Sequence, residues 1–350
     1  MAKSAVIGLD IGTTFVRGAE VEQSGRSGHT LVRYGQVPLP LGAVRDGEVA
    51  EPETVASALR QLWSQAKFSS REVNIGIGNQ RVLVRELDMP AMPMAQIRSS
   101  LPFQVQDLLP VAVEDALLDY YPTAEYAGPN GPAVTGLLVA ATKDTVQANT
   151  IAVETAGLRP VMVDLSAFAL TRAQLTPEMA ARTVALVDLG GRTTTVVVLA
   201  NGMPKFIRML PSGGQDVTEA VTSAMNVSVS DAERIKRELG VGFQVAPEMT
   251  HVAESIYSVT STLIDSVRNT LVYYASNHPG AAADGIILTG GGAQLPGLGQ
   301  YLASATRLPV SLGQPLASFK TARSAPQGDA LAAIQHDCAI AVGLALGVAA

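Results

Sequence analysis

The chain has 350 residues, 47% of them hydrophobic and 16% charged, which suits two well-cored domains and argues against disorder. Its 25 Lys and Arg stand against 31 Asp and Glu, so a net charge of −6 leaves no basic excess for general nucleic-acid binding. One cysteine, Cys338, excludes an internal disulfide and points to a reducing compartment, and the histidines (His29, His251, His278, His336) lack metal-ligand spacing.

The chain opens on Val6-Ile7-Gly8-Leu9-Asp10-Ile11-Gly12-Thr13-Thr14, an apolar run that ends in an Asp and a tight Gly-Thr-Thr turn. A second apolar run, residues 15–21, leaves it, so the stretch reads as a β-hairpin with one acid and small hydroxyl residues at its tip. Glycine lets a backbone approach an anion, Thr hydroxyls and free N–H groups donate to it, and an Asp can hold Mg²⁺ through water. Turn geometry alone would explain one such hairpin. Residues 1–4 leave no room for a signal peptide, which makes the expected compartment the cytoplasm.

Residues 30–37 read as a third strand. Residues 53–67 read as a helix, with Val55, Leu59, Leu62, Trp63 and Ala66 at spacings of three and four. Residues 73–77 are a further strand. Gly76-Ile77-Gly78-Asn79-Gln80-Arg81 is no dinucleotide fingerprint, because Arg81 stands at the third glycine position, and the chain contains no Walker A sequence. Residues 82–87 are predicted as a strand broken by Met89-Pro90-Ala91-Met92-Pro93. Residues 94–109 carry a helical period interrupted by Pro102. Two strands, 116–121 and 134–142, flank a turn-rich stretch at 125–132, and a helix over 145–156 ends at Gly157.

Residues 160–170 form a strand running into a helix. Asp164 stands at the junction, where a helix cap would explain it. The opening plan then returns as Val187-Asp188-Leu189-Gly190-Gly191-Arg192-Thr193-Thr194, followed by an apolar strand. Two such hairpins half a chain apart predict two related domains, each supplying a phosphate loop. Ser212-Gly213-Gly214 leads into a helix near Val217, residues 230–239 form another, and 249–277 a long one. Residues 284–289 read as a strand ending in Gly290-Gly291-Gly292, which lets backbone approach a flat ligand or a phosphate. A last helix is predicted over 330–349; its apolar run, 338–350, is too short to span a bilayer and follows polar Gln335, His336 and Asp337.

These stretches resemble, in order, the phosphate, connecting and adenosine motifs of the actin, Hsp70 and sugar-kinase superfamily of ATP-binding folds. Within it the chain is most similar to the PilM family of type IV pilus assembly. That resemblance rests on Leu87-Asp88-Met89-Pro90, on Ile97, Leu101, Pro102, Phe103 and Leu108-Leu109-Pro110, on Asp119-Tyr120-Tyr121 and on the closing residues 341–346. The ending lacks the basic amphipathic helix of the related FtsA.

The resemblance implies an α/β, actin-like ATPase fold of two RNase H-like domains. The first would be 1–180 plus 325–350, with an α+β subdomain inserted at about 85–155; the second would be 181–324. It implies ATP and Mg²⁺ as cofactors. Asp10 and Asp188 would approach the metal, mostly through water. Gly12, Thr13, Thr14, Gly190, Thr193 and Thr194 would hold phosphates. Gly213, Gly214, Glu233 and Lys236 would line the ribose and adenine side, with Gly290, Gly291 and Gly292 against the base or α-phosphate. Asp164 would orient the attacking water, and turnover is expected to be slow or absent. Arg192 departs from the usual loop residue and reads as a solvated tip, with contact to a phosphate as the other reading.

The resemblance further implies a partner, the cytoplasmic N-terminal tail of a PilN-like inner-membrane protein. Leu101, Phe103, Val105 and Leu108 are the candidate contacts and core packing is the other reading of each. The protein would then sit at the inner face of the membrane through this partner, without a span of its own, with pilus motor ATPases as further candidate partners. A small-molecule kinase, needing a base beside the γ-phosphate, and an FtsA-like filament former are the alternatives on the same fold.

Overall fold

The computed structural model describes residues 5–24, 28–129 and 131–347. The alternating runs at the start form β1 (Ala5–Ile11), β2 (Phe15–Ser24) and β3 (Gly28–Pro38), an antiparallel meander. A small hairpin follows, β4 (Val44–Arg45) and β5 (Glu48–Val49). Helix α1 (Pro52–Ala66) starts on a proline, whose missing N–H costs nothing in the first turn, and stops at left-handed Lys67. Strand β6 (Glu72–Ile77) then pairs in parallel with β1.

The inserted part begins with β7 (Val82–Pro90), which runs through Met89 and Pro90 rather than breaking there. The helical period yields α2 (Met94–Gln104) with Pro102 inside it; the predicted helix to 109 instead ends at 104 and is followed by a short 3-10 turn. Strands β8 (Ala116–Gly128) and β9 (Gly131–Thr142) form one long hairpin. The predicted turn at 125–132 is therefore mostly strand, because cross-strand pairing continues from Ala116↔Thr142 to Gly128↔Gly131. The sheet order is β7-β9-β8, and α2 closes its own core of Met89, Ile97, Leu101, Val105, Tyr120, Val134 and Leu138.

Helix α3 (Lys143–Thr155) packs on α1 in the first core. Strand β10 (Arg159–Leu165) completes the first large sheet and runs into α4 (Ser166–Gln174). The second sheet repeats the scheme with β11 (Thr183–Leu189), β12 (Thr194–Ala200) and β13 (Met203–Leu210). Helices α5 (Gly214–Met225), α6 (Val229–Leu239) and α7 (Thr250–Asn277) follow. Then come β14 (Gly285–Thr289), α8 (Leu298–Thr306), β15 (Val310–Leu312) and β16 (Lys320–Thr321).

The first sheet has the order β10-β6-β1-β2-β3-β16 and the second β13-β12-β11-β14-β15. In each, a central hairpin carries the Asp-bearing strand and parallel strands extend it on one side. This is the expected actin-like architecture. The predicted single C-terminal helix is two, α9 (Asp329–Ile334) and α10 (Ala339–Ala345), because the chain between them turns to bond the second domain through His336. The last residues of that predicted helix lie outside the described ones.

Between the sheets α10 lies on α4, and the shared core runs from Leu31 through Leu170 and Val342 to Leu186. A Cβ at Gly343 would stand 1.8 Å from the Ala169 carbonyl oxygen, and one at Gly8 2.0 Å from that of Ala341, so glycine permits both crossings. Among the described residues no helix is long and apolar enough to cross a membrane.

Candidate functional site

The two tips are built alike. The Gly12 N–H donates to the Phe15 carbonyl, and the Gly190 N–H donates to that of Thr193, each at 3.0 Å. They face one another: a Cβ at Gly191 would lie 3.4 Å from Thr13 Cβ and 3.5 Å from Thr14 Cγ2. Asp10 and Asp188 thus stand at the ends of two opposed strands, where sequence spacing places them.

Their surroundings are short of countercharge. Burial raises the Asp10 carboxyl above its usual range, and Asp337 adds to this, while Arg17 works against it. Burial also pushes Asp188 up to about 7, with a contribution from Asp10. Arg17 stands 3.7 Å from Asp10 and 3.6 Å from Asp337, one guanidinium among three acids. Around it, Arg17 Nε, Asp337 Oδ1, Thr193 Oγ1 and Gln215 Oε1 are buried without a hydrogen-bond partner. Buried polar groups are normally satisfied, so this cluster has the chemistry of a site that completes itself with a ligand. Among the described residues no three His, Cys, Asp or Glu side chains group closely enough to hold a metal alone. The donor set fits Mg²⁺, which keeps waters and takes phosphate oxygens beside one or two carboxylates.

Not every residue predicted for the nucleotide site is free to serve. The Thr194 side chain is fully buried and donates its hydroxyl to the Ser212 carbonyl at 2.8 Å. Gly213 is a packing glycine, since a Cβ there would lie 2.5 Å from the carbonyl oxygens of Gly190 and Gly191. The first amides of α5 serve the same loop: Gly214 N–H donates to Gly190 O at 2.9 Å and Gln215 N–H to Gly191 O at 2.8 Å. Arg192, predicted as a solvated tip, is paired with Asp216 at 2.6 Å and with Glu219, which fixes the loop to α5.

The adenine-side residues do converge. Gly214, Glu233, Lys236, Gly291 and Gly292 line one pocket, whose apolar walls include Leu189 and Leu263. Burial lowers the Lys236 ammonium; its Nζ reaches Glu233 at 2.6 Å, Thr218 Oγ1 at 2.9 Å and the Gly214 carbonyl at 3.1 Å. Burial alone would raise Glu233, but hydrogen bonds from Lys236 and Thr218 outweigh it and hold it below its usual range. Thr260, in the same wall, has a buried hydroxyl with no partner. Gly290 adopts φ +87° and donates to the His336 carbonyl at 2.8 Å.

Asp164 is engaged elsewhere. One oxygen accepts the Leu165 N–H at 2.8 Å and the other pairs with Arg172, which also donates to the Gly343 carbonyl. The carboxylate expected to orient water is thus part of the strap that holds α4 to α10, and it caps no helix. The predicted peptide contacts separate as well. Leu101 and Val105 are fully buried in the α2 core, because the helical period turns them onto the sheet, whereas Phe103 is 81% exposed and Leu108 half-buried. A separate groove of about 360 Å³ is lined by Gln80, Arg81, Val82, Leu83, Val111 and Thr142, at the start of edge strand β7.

Arg17 and Asp337 are the site residues that sequence reasoning misses. Arg17 shares a strand face with Phe15, where nothing marks it, and Asp337 sits in what reads as continuous helix.

The family model described as type IV pilus assembly protein PilM matches residues 8–348. A solved PilM-PilN type IV pilus biogenesis complex contains a chain 26% identical, with a TM-score of 0.86 covering 99% of this chain and 98% of that one. MreB5 of Spiroplasma citri, solved bound to ADP, is 14% identical with a TM-score of 0.57 over 98% of this chain and 95% of its own, a likeness of fold alone. The cell division protein FtsA of Neisseria meningitidis is 23% identical over 88% of this chain and 83% of its own length. FtsA of Bacillus subtilis is 24% identical over 67% of this chain, and the match spans 58% of that protein.

Proposed function

The chain belongs to the PilM family of type IV pilus assembly proteins, and from that premise we propose that it is an ATP-binding scaffold of the pilus inner-membrane platform. The observation that carries this reading is the pair of opposed tips, with Asp10 and Asp188 facing a cluster of buried, unpartnered polar atoms. Asp10 and Asp188 are the residues that would hold Mg²⁺. Gly12, Thr13, Thr14, Gly190 and Thr193 cradle the phosphates, and Arg17 supplies the positive charge beside them. Gly214, Glu233, Lys236, Gly291 and Gly292 take the nucleoside. When bound, the metal neutralises phosphate charge; the protein's part is to orient the nucleotide and to draw the two domains together.

The partner is the cytoplasmic N-terminal tail of a PilN-like membrane protein, in keeping with the PilM-PilN complex that this chain resembles. The groove beside β7 suits an extended peptide: Val82, Leu83 and Val111 offer apolar contact, and Arg81 a charged rim. The tail brings the scaffold to the inner face of the membrane, and nucleotide state biases how tightly it is held. Pilus motor ATPases are the further partners this placement would allow. The small-molecule kinase alternative lacks support, since Asp164, its one available base, is committed to Arg172.

Calorimetry and a pull-down test the reading together. Mg²⁺–ATP is expected to bind the wild type and not Asp10→Ala, and an immobilised tail peptide to retain the protein in a nucleotide-dependent amount. Equal nucleotide binding by Asp10→Ala, or no retention by the peptide, would overturn the corresponding half.

A further inference from the structure

Glu48 lies on the β4–β5 hairpin, whose tip approaches Thr193 and whose carboxylate reaches Arg81 of the groove. It follows Gly47, at a hairpin tip where Asp46 and Gly47 adopt φ of +50° and +77°. A Cβ at Gly47 would lie 2.8 Å from Asn79 Cβ and 3.7 Å from Thr193 Oγ1. A hairpin of the first domain therefore rests against the phosphate loop of the second. The hydroxyl it approaches, Thr193, is buried and unpartnered.

From Glu48 two lines of polar contact run to the groove. Its Oε1 is 3.3 Å from Arg81 Nε, which lines the groove. The same oxygen accepts the Thr145 hydroxyl at 2.5 Å. With that proton committed, the Thr142 hydroxyl donates to Thr145 at 2.9 Å, and Thr142 lines the groove too. Asn79, 1% exposed, ties the lines together: Nδ2 donates to the Gly47 carbonyl and Glu48 Oε1, both at 3.4 Å, and Oδ1 accepts the Arg81 N–H at 2.9 Å.

We infer that Glu48 is a positioning residue that transmits occupancy of the cleft to the groove. This rests on the reading of the cleft as a nucleotide site. A phosphate that recruits the Thr193 hydroxyl changes what the Gly47 tip packs against. Glu48 moves with that tip, and Arg81 and Thr142 are re-aimed because both depend on its carboxylate. An exposed ion pair would carry little; this carboxylate is fixed by a buried threonine and a buried asparagine as well. Coupling of this kind requires an element whose arrangement both sites bias, and the hairpin tip touches both.

The test is amide hydrogen exchange on the full chain, with and without Mg²⁺–ATP, for wild type, Glu48→Ala, Glu48→Gln and Thr145→Val, with binding followed by calorimetry. In the wild type, nucleotide is expected to slow exchange at 45–49 and at 80–83. Glu48→Ala should bind nucleotide with wild-type affinity and keep protection at 45–49, but lose it at 80–83. Glu48→Gln and Thr145→Val, which each cut one line, should lose part of it; if Glu48→Ala does not fold, these two decide. Protection at 80–83 that matches the wild type in the variants would overturn the relay, as would a wild type that binds nucleotide without protection there. A wild type that binds no Mg²⁺–ATP would instead overturn the cleft reading, and the relay with it.

Discussion

Arg17 and Asp337, near opposite ends of the chain, meet at 3.6 Å in the cleft, and Arg17 also reaches Asp10 at 3.7 Å. The guanidinium is the countercharge that makes the buried Asp188 and the partly buried Asp10 and Asp337 tolerable without a metal. Mutual repulsion of like charges and their desolvation would otherwise oppose closure of the domains.

Removing that countercharge is expected to destabilise the metal-free protein. Arg17→Gln should lower the unfolding free energy by about 3–5 kcal/mol, the usual cost of breaking a buried pair. Urea titrations with and without Mg²⁺ check this, and the divalent cation should restore part of the loss.

Asp188→Asn should act in the opposite direction. A carboxyl held at about 7 in the fold, against 3.8 ordinarily, binds a proton that the unfolded chain releases. Its stabilising protonated state is fully present below about pH 4 and is lost as pH rises through 7. The variant escapes that loss, so in EDTA it should be more stable than wild type by up to about 4 kcal/mol at pH 8 and equal to it near pH 4. Mg²⁺–ATP binding should be abolished. Thermal unfolding across that pH range, with calorimetry at pH 8, tests both statements.

Leu101→Ala and Phe103→Ala should separate core from surface in α2. Leu101 is fully buried, and its truncation is expected to cost about 2–5 kcal/mol. Phe103 is exposed, and its truncation should change stability by less than about 0.5 kcal/mol. Chemical denaturation of the two variants reads this directly.

Gly343→Ala improves helix propensity by about 1 kcal/mol yet should destabilise the protein. The new methyl would stand 1.8 Å from the Ala169 carbonyl oxygen, at the crossing of α4 and α10. A lower melting temperature is expected, whereas Gly299→Ala in α8, with nothing closer than 4.0 Å, should be tolerated.

The sequence by itself determined the two hairpins, the glycines at 290–292 and most strands and helices. These are local features: alternation, helical period and turn chemistry act over a few residues. It therefore put Asp10 and Asp188 at the ends of their strands, whereas the adenine-side residues came only from the family resemblance. Only the tertiary structure decided which polar groups are already spoken for. Thr194 donates to Ser212, Asp164 is held by Arg172, and Arg192 is clamped by Asp216 and Glu219. It also decided that a break before α10 sends Asp337 to Arg17, and that Leu101 faces inward while Phe103 does not. Each of these depends on packing between elements, and in the cleft on partners some 320 positions apart. No local pattern encodes such a contact, because its free energy exists only once elements far apart in the chain have packed together.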